Sequence, residues 1–170
     1  VSAEHTELDD TEPAQMRAIA WIAADGLEIP GRVLTPPGHD GSEPLPVVAM
    51  IHGGPASAAR AGFEDGHMWS QLLAANGFAV YMPNYRGSTG RGLEFTESNI
   101  GDMGGKDFED MMAGLDHLIS EGIVDARRQG ICGWSYGGFT TAWAVTQTDR
   151  FAAAVMGAGI SDWRSFHGKS

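Results

Sequence analysis

Residues 46–51, 78–82 and 151–156 are unbroken apolar runs, the pattern of strands buried on both faces of a parallel sheet. Residues 130–134 carry a shorter core, Ile131-Cys132, and predict another such strand. Upstream the pattern changes to loose alternation. Segments 16–23 and 27–34 predict two antiparallel strands around an Asp25-Gly26 turn. Between the apolar runs the period becomes helical. Over 107–121, Phe108, Met111, Met112, Leu115, Leu118 and Ile119 fall on one stripe. Asp107 is the expected N-cap of that helix and Gly122 its stop. Its other face, with Glu109, Asp110 and Asp116, is expected in solvent. Residues 67–76 predict a helix with Met68, Leu72 and Ala75 on one side and Asn76-Gly77 as its end, and 136–147 predict a third. Strands and helices alternate from residue 46 onward. This calls for an α/β fold, a mostly parallel sheet with helices on both faces, preceded by an antiparallel strand pair.

Composition and charge narrow the partners. Hydrophobic residues make up 42% of the chain, yet no apolar stretch approaches the ~20 residues that cross a bilayer. The net charge is −11, which argues against nucleic acid or an anionic membrane as partner, since few cations are present to release counterions from phosphate. Glu4, Glu7, Asp9, Asp10 and Glu12 crowd the start and read as a solvated segment. One cysteine, Cys132, excludes an internal disulfide and a Cys-based metal site; it reads as a small buried hydrophobe. No metal or cofactor is expected. Val1 opens the chain with no signal-peptide pattern behind it, so the expectation is a cytoplasmic chain cut from something longer.

The candidate chemistry centres on Gly133-x-Ser135-x-Gly137, between the 130–134 strand and the 136–147 helix. This is the sequence form of a nucleophile elbow, a strained turn that lifts a serine hydroxyl clear of the sheet. Gly133 and Gly137 flank the serine where backbone and helix crowd the turn. With 24 glycines in the chain the pattern alone is weak, and its context decides. That context includes His52-Gly53-Gly54-Pro55, directly after the 46–51 run. A Gly-Gly pair there can turn backbone N–H groups toward a bound oxygen. Gly54 and Tyr136, the residue after the serine, are the candidate oxyanion donors. His52 and Gly53 are candidate supports of that loop. Asn84 to Gly92 is Gly-rich with basic residues, but no Gly-x-x-x-x-Gly-Lys-Ser/Thr pattern supports phosphate binding.

Four motifs in order carry a family resemblance: His52-Gly53-Gly54-Pro55, Asn84-Tyr85-Arg86-Gly87-Ser88-Thr89-Gly90, Gly101-Asp102-Met103-Gly104-Gly105-Lys106-Asp107 and Gly133-Trp134-Ser135-Tyr136-Gly137-Gly138. From about residue 15 to 165 the chain resembles the catalytic domain of the prolyl oligopeptidase family, in its acylaminoacyl-peptidase and dipeptidyl-peptidase-like branches. The resemblance implies an α/β-hydrolase fold, here incomplete, and a serine peptidase acting on short peptide or acyl-peptide substrates. It also implies an N-terminal β-propeller, with residues 1–15 as its tail or linker and 16–170 as the N-terminal part of the catalytic domain. In this family the triad runs in the order Ser, Asp, His, so the Asp and His are expected beyond Ser170. Asp162 and His167 follow the last predicted strand, but so short a segment is a poor way to place both a base and its acid. His5, His39, His67 and His117 lie in loops or beside helices and are not assigned roles. Two other readings stay open: a carboxylesterase or lipase-like hydrolase of the same fold, and an inactive fragment or non-catalytic binding domain. Oligomeric state is left open.

Overall fold

The computed structural model describes residues 12–61 and 69–169. Expectations for residues 1–11, His5, His67 and Met68 therefore lie outside the described residues. Six strands form one sheet: β1 (Gln15–Ile22), β2 (Glu28–Thr35), β3 (Leu45–Ile51), β4 (Ala79–Pro83), β5 (Val124–Trp134) and β6 (Ala153–Gly157), in the spatial order β1-β2-β4-β3-β5-β6. β1, β2 and β4 pair antiparallel; β4, β3, β5 and β6 run parallel. Three helices cover the sheet: α1 (Trp69–Ala75), α3 (Lys106–Ser120) and α4 (Tyr136–Gln147). Two short helices, α2 (Leu93–Glu97) and α5 (Trp163–His167), escaped the sequence reading because five residues are too few to show a period.

The alternation of faces explains the layers. On one face Ile29, Val33, Ala49, Tyr81 and Ile131 meet Met111, Leu115 and Leu118 of α3 and Ala144 of α4. On the other, Leu34, Val80, Met82 and Met50 meet Leu73 and Ala74 of α1. Helix α3 lies very close to the sheet. A Cβ on Gly114 would overlap the Tyr81 hydroxyl and the Trp21 ring, and both groups donate to its backbone, Tyr81 Oη to Met111 O (3.1 Å) and Trp21 Nε1 to Asp110 O (2.9 Å). The helix ends as expected at Gly122 (φ 70°), where Gly122 N–H reaches Ile119 O and Ile123 N–H reaches Leu118 O, both at 3.0 Å.

Three expectations are corrected. Asp107 does not cap α3. Gly105 holds the N-cap position, the Asp102 carboxylate takes the Lys106 N–H at 3.0 Å, and Asp107 turns inward. Asp110 is fully buried, because Arg86 meets it with Nε and Nη2, each at 2.8 Å, while Arg86 Nη1 holds Asp25 at 2.8 Å. That bond holds the Asp25 carboxyl well below the ordinary carboxylate range. The third correction is β6. Its apolar run reads as a doubly buried strand, yet Val155 is 67% exposed, since β6 is the sheet edge among the described residues. β5 also begins earlier than the apolar pattern implies. Val124 is buried and pairs with Leu45, while the polar stretch 125–128 between it and the Ile131 core remains partly or fully exposed.

Candidate active site

β5 ends at Trp134 and α4 starts at Tyr136, so Ser135 alone turns the chain. It does so at φ 58° and ψ −117°, a backbone state that costs a side-chain-bearing residue on the order of 1–3 kcal/mol. The surrounding packing enforces it. A Cβ on Gly133 would overlap the backbone of Gly137, one on Gly137 the carbonyl of Ile51, and one on Gly138 the carbonyl of Gly157. Helix α4 thus starts almost in contact with the ends of β3, β5 and β6, an approach that only glycine permits. Ser135 N–H donates to Gly157 O and Ser135 O accepts from Phe139 N–H, both at 3.0 Å, which fixes the turn from both sides.

The loop after β3 reaches the same point. A methyl on Gly53 would stand 3.0 Å from the Trp134 carbonyl oxygen, 3.3 Å from Ser135 Cβ and 3.9 Å from Ser135 Oγ. Gly54 follows at φ 127°, open to glycine and strained for other residues. The structure brings His52, Gly53, Gly54, Gly133, Ser135, Tyr136 and Gly137 together at the carboxyl ends of two adjacent parallel strands. Tyr136 is the first residue of α4, where backbone N–H groups have no acceptor within the helix.

Both loops are held by side chains. His52 Nδ1 lies 2.8 Å from Gly53 O, an oxygen that can only accept, so this nitrogen carries the proton and Nε2 accepts from Ser88 Oγ at 3.0 Å. The Tyr85 ring stacks on the imidazole at 4.5 Å, and its hydroxyl donates to His52 O at 2.9 Å. On the other side the Tyr136 hydroxyl donates to Asp107 Oδ2, and Asp107 Oδ1 accepts from the N–H groups of Gly104 (2.9 Å) and Phe108 (2.8 Å). Burial raises the Asp107 carboxyl, against the pull of those bonds, and lifts the Tyr136 phenol further above its ordinary range. Tyr85, Ser88 and Asp107 stand in the sequence motifs, but no local pattern shows these roles. Each acts across 29 to 36 residues of sequence, beyond any local pattern.

The remaining candidates stand elsewhere. Asp162 N-caps α5, accepting from Arg164 N–H at 3.0 Å, and His167 is exposed at the far end of that helix. Among the described residues, no side chain hydrogen-bonds the Ser135 hydroxyl, and no group of three His, Cys, Asp or Glu could hold a metal. Burial pushes the Cys132 thiol up to about 11, which suits packing rather than reactivity. No helix among the described residues is long and apolar enough to cross a membrane.

A serine turning between a central parallel strand and a helix, faced by a Gly-Gly loop from the neighbouring strand, is the arrangement of an α/β-hydrolase. Comparison with known proteins narrows the class. Residues 67–170 match the model of the prolyl oligopeptidase family, and the chain belongs to that family. Over 156 residues, 89% of the chain, it is 42% identical to the uncharacterized peptidase YuxL of Bacillus subtilis, of which it covers 23%. All of it superposes on 27% of the uncomplexed acylaminoacyl peptidase of Pyrococcus horikoshii, with a TM-score of 0.87 and 29% identity. An acylaminoacyl peptidase in complex with Z-Gly-Gly-Phe-chloromethyl ketone is similar over all of this chain and 27% of its own, with a TM-score of 0.87 and 31% identity. The chain spans about a quarter of the length of these relatives.

The His52 clamp makes the site acid-sensitive. Burial holds the imidazole neutral, with a pKa of about 4 against the ordinary 6.5. A folded-state pKa below the unfolded one gives stability that is complete above pH 6.5 and is lost as pH falls toward 4. The loss attributable to His52 is up to about 3 kcal/mol. Urea midpoints measured at pH 7 and pH 4 for the wild type and for His52→Gln check this. The wild type is expected to lose more stability than the variant over that interval, and equal losses would refute the clamp.

Proposed function

We propose that this chain carries the nucleophile and oxyanion hole of a serine peptidase that hydrolyses short acyl- or aminoacyl-peptides. Ser135 Oγ attacks the scissile carbonyl, the N–H groups of Gly54 and Tyr136 hold the developing oxyanion, and an acyl-enzyme on Ser135 is then hydrolysed. The Asp and His of the triad come from sequence outside this chain, and residues 1–15 lead in from a β-propeller. One observation carries the reading: the left-handed backbone of Ser135 at a strand end, with Gly53 packed against its side chain. The complexed acylaminoacyl peptidase supports a peptide as substrate.

The test is labelling of the full protein that carries this chain with a fluorophosphonate, followed by peptide mapping. One equivalent is expected on the peptide containing Ser135. Labelling at a different serine would sink the assignment.

A further inference from the structure

The carboxyl ends of β4, β3 and β5 lie along one side of the sheet, and antiparallel β2 brings its amino end there. Beyond Ser135 toward β6, aromatic rings gather: Trp163 packs on Phe139 at 5.1 Å and on Phe166 at 5.9 Å. On the other side, at the ends of β2 and β4, lies a groove of about 520 Å³ lined by Arg32, Arg60 and Arg91 with Asn84, Thr89 and Phe95. Among the described residues no Asp or Glu lines it. In a chain of 22 acidic and 11 basic residues, three arginines around one hollow form a local reversal of the overall field.

The groove is built rather than incidental. Arg32 Nε donates to Ala59 O at 3.3 Å. The Asn84 side chain accepts from Ala59 N–H at 2.7 Å and donates to Ala59 O at 3.0 Å, which pins the backbone just before Arg60. The Arg91 guanidinium lies over the Phe95 ring, 5.6 Å from its centre, and pairs at the rim with exposed Glu28 at 3.0 Å. Among the described residues no carboxylate pairs with Arg32 or Arg60. Arg86 gives the contrast, since its guanidinium is committed to Asp25 and Asp110.

We propose that this groove is a subsite for a carboxylate of the peptide substrate, held by Arg32, Arg60 and Arg91. The inference rests on the reading of Ser135 as nucleophile. The loop that touches Ser135 at Gly53 runs on to form the groove wall at Arg60, and Thr89 N–H ties it to the opposite wall through Ser57 O at 2.8 Å. Neighbouring strands are ~4.8 Å apart, so the ends of β4 and β2 lie about 10–15 Å from the end of β5. An extended peptide advances ~3.3 Å per residue, so a carboxylate about three to five residues from the scissile bond reaches the groove. Guanidinium forks match a carboxylate in two parallel hydrogen bonds. The carboxylate is either the free C-terminus of a short peptide or an Asp or Glu side chain.

The test takes the full protein carrying this chain and two sets of matched peptides. One set compares a C-terminal acid with its amide. The other compares Glu with Gln at each position three to five residues from the scissile bond. At low ionic strength kcat/KM is expected to favour the carboxylate by about tenfold in at least one set, chiefly through KM. The set that responds identifies the source. Arg32→Gln and Arg60→Gln are expected to bring that ratio toward one, Arg60→Glu to invert it, and added salt to reduce it. Ratios taken within one variant cancel any general loss of activity. Flat ratios in the wild type, or ratios that survive both Gln substitutions, would overturn the subsite. If turnover survives Ser135→Ala, the nucleophile assignment itself has failed; if turnover needs Ser135 but the ratios are flat, only the groove has.

Discussion

In the full protein carrying this chain, Ser135→Ala is expected to lower kcat on an acyl-peptide substrate by about 10⁴–10⁶-fold. On the proposed reading the Ser135 hydroxyl forms the covalent bond, and alanine leaves the oxyanion donors facing a carbonyl with nothing to attack it. What survives is the catalysis of the oxyanion hole and of binding, roughly 10³–10⁴ over water in serine proteases stripped of triad members. The substitution keeps a Cβ at φ 58°, so the turn holds the same strain and the fold is expected to persist. Thermal unfolding of wild type and variant, run beside the kinetics, checks that point. A kcat reduced less than tenfold, in a variant that melts like the wild type, would remove Ser135 from the chemistry.

How much of this was legible in the sequence follows from where each signal is stored. Runs 46–51 and 78–82 are apolar because β3 and β4 have neighbours on both edges and helices on both faces, so they could be read directly. The elbow was legible because its glycines answer local crowding. Helix α3 was legible from its apolar stripe, of which Met111, Leu115 and Leu118 are fully buried and Phe108, Met112 and Ile119 partly so. What the stripe did not show is that Asp107, Asp110 and Gly114 are buried beside it. Polar residues survive there because their partners, Tyr136 and Arg86, arrive from distant sequence. A helical period reports hydrophobicity along one segment and is blind to a hydrogen bond made 24 or 29 residues away. The same blindness hid the arginine groove, which three separate elements assemble.

The 170-residue chain by itself is expected to react with a fluorophosphonate at least about 10³-fold more slowly than the full protein. The serine hydroxyl is a weak nucleophile at neutral pH unless a base removes its proton as it attacks. Among the described residues nothing stands within hydrogen-bonding reach of Ser135 Oγ to do so. His52 follows β3 next to the elbow, but Nδ1 gives its proton to Gly53 O and Nε2 is taken by Ser88, so neither nitrogen is available. Asp162 is engaged as a helix cap, and His167 is exposed beyond it. On the proposed reading both oxyanion donors, Gly54 and Tyr136, belong to this chain, which is why some labelling is expected. Rates measured for the chain, for the full protein and for the chain with Ser135→Ala separate slow labelling at Ser135 from labelling at other hydroxyls. Labelling of the chain as fast as that of the full protein would mean that a base lies within these 170 residues, and His167→Gln would be the first variant to make.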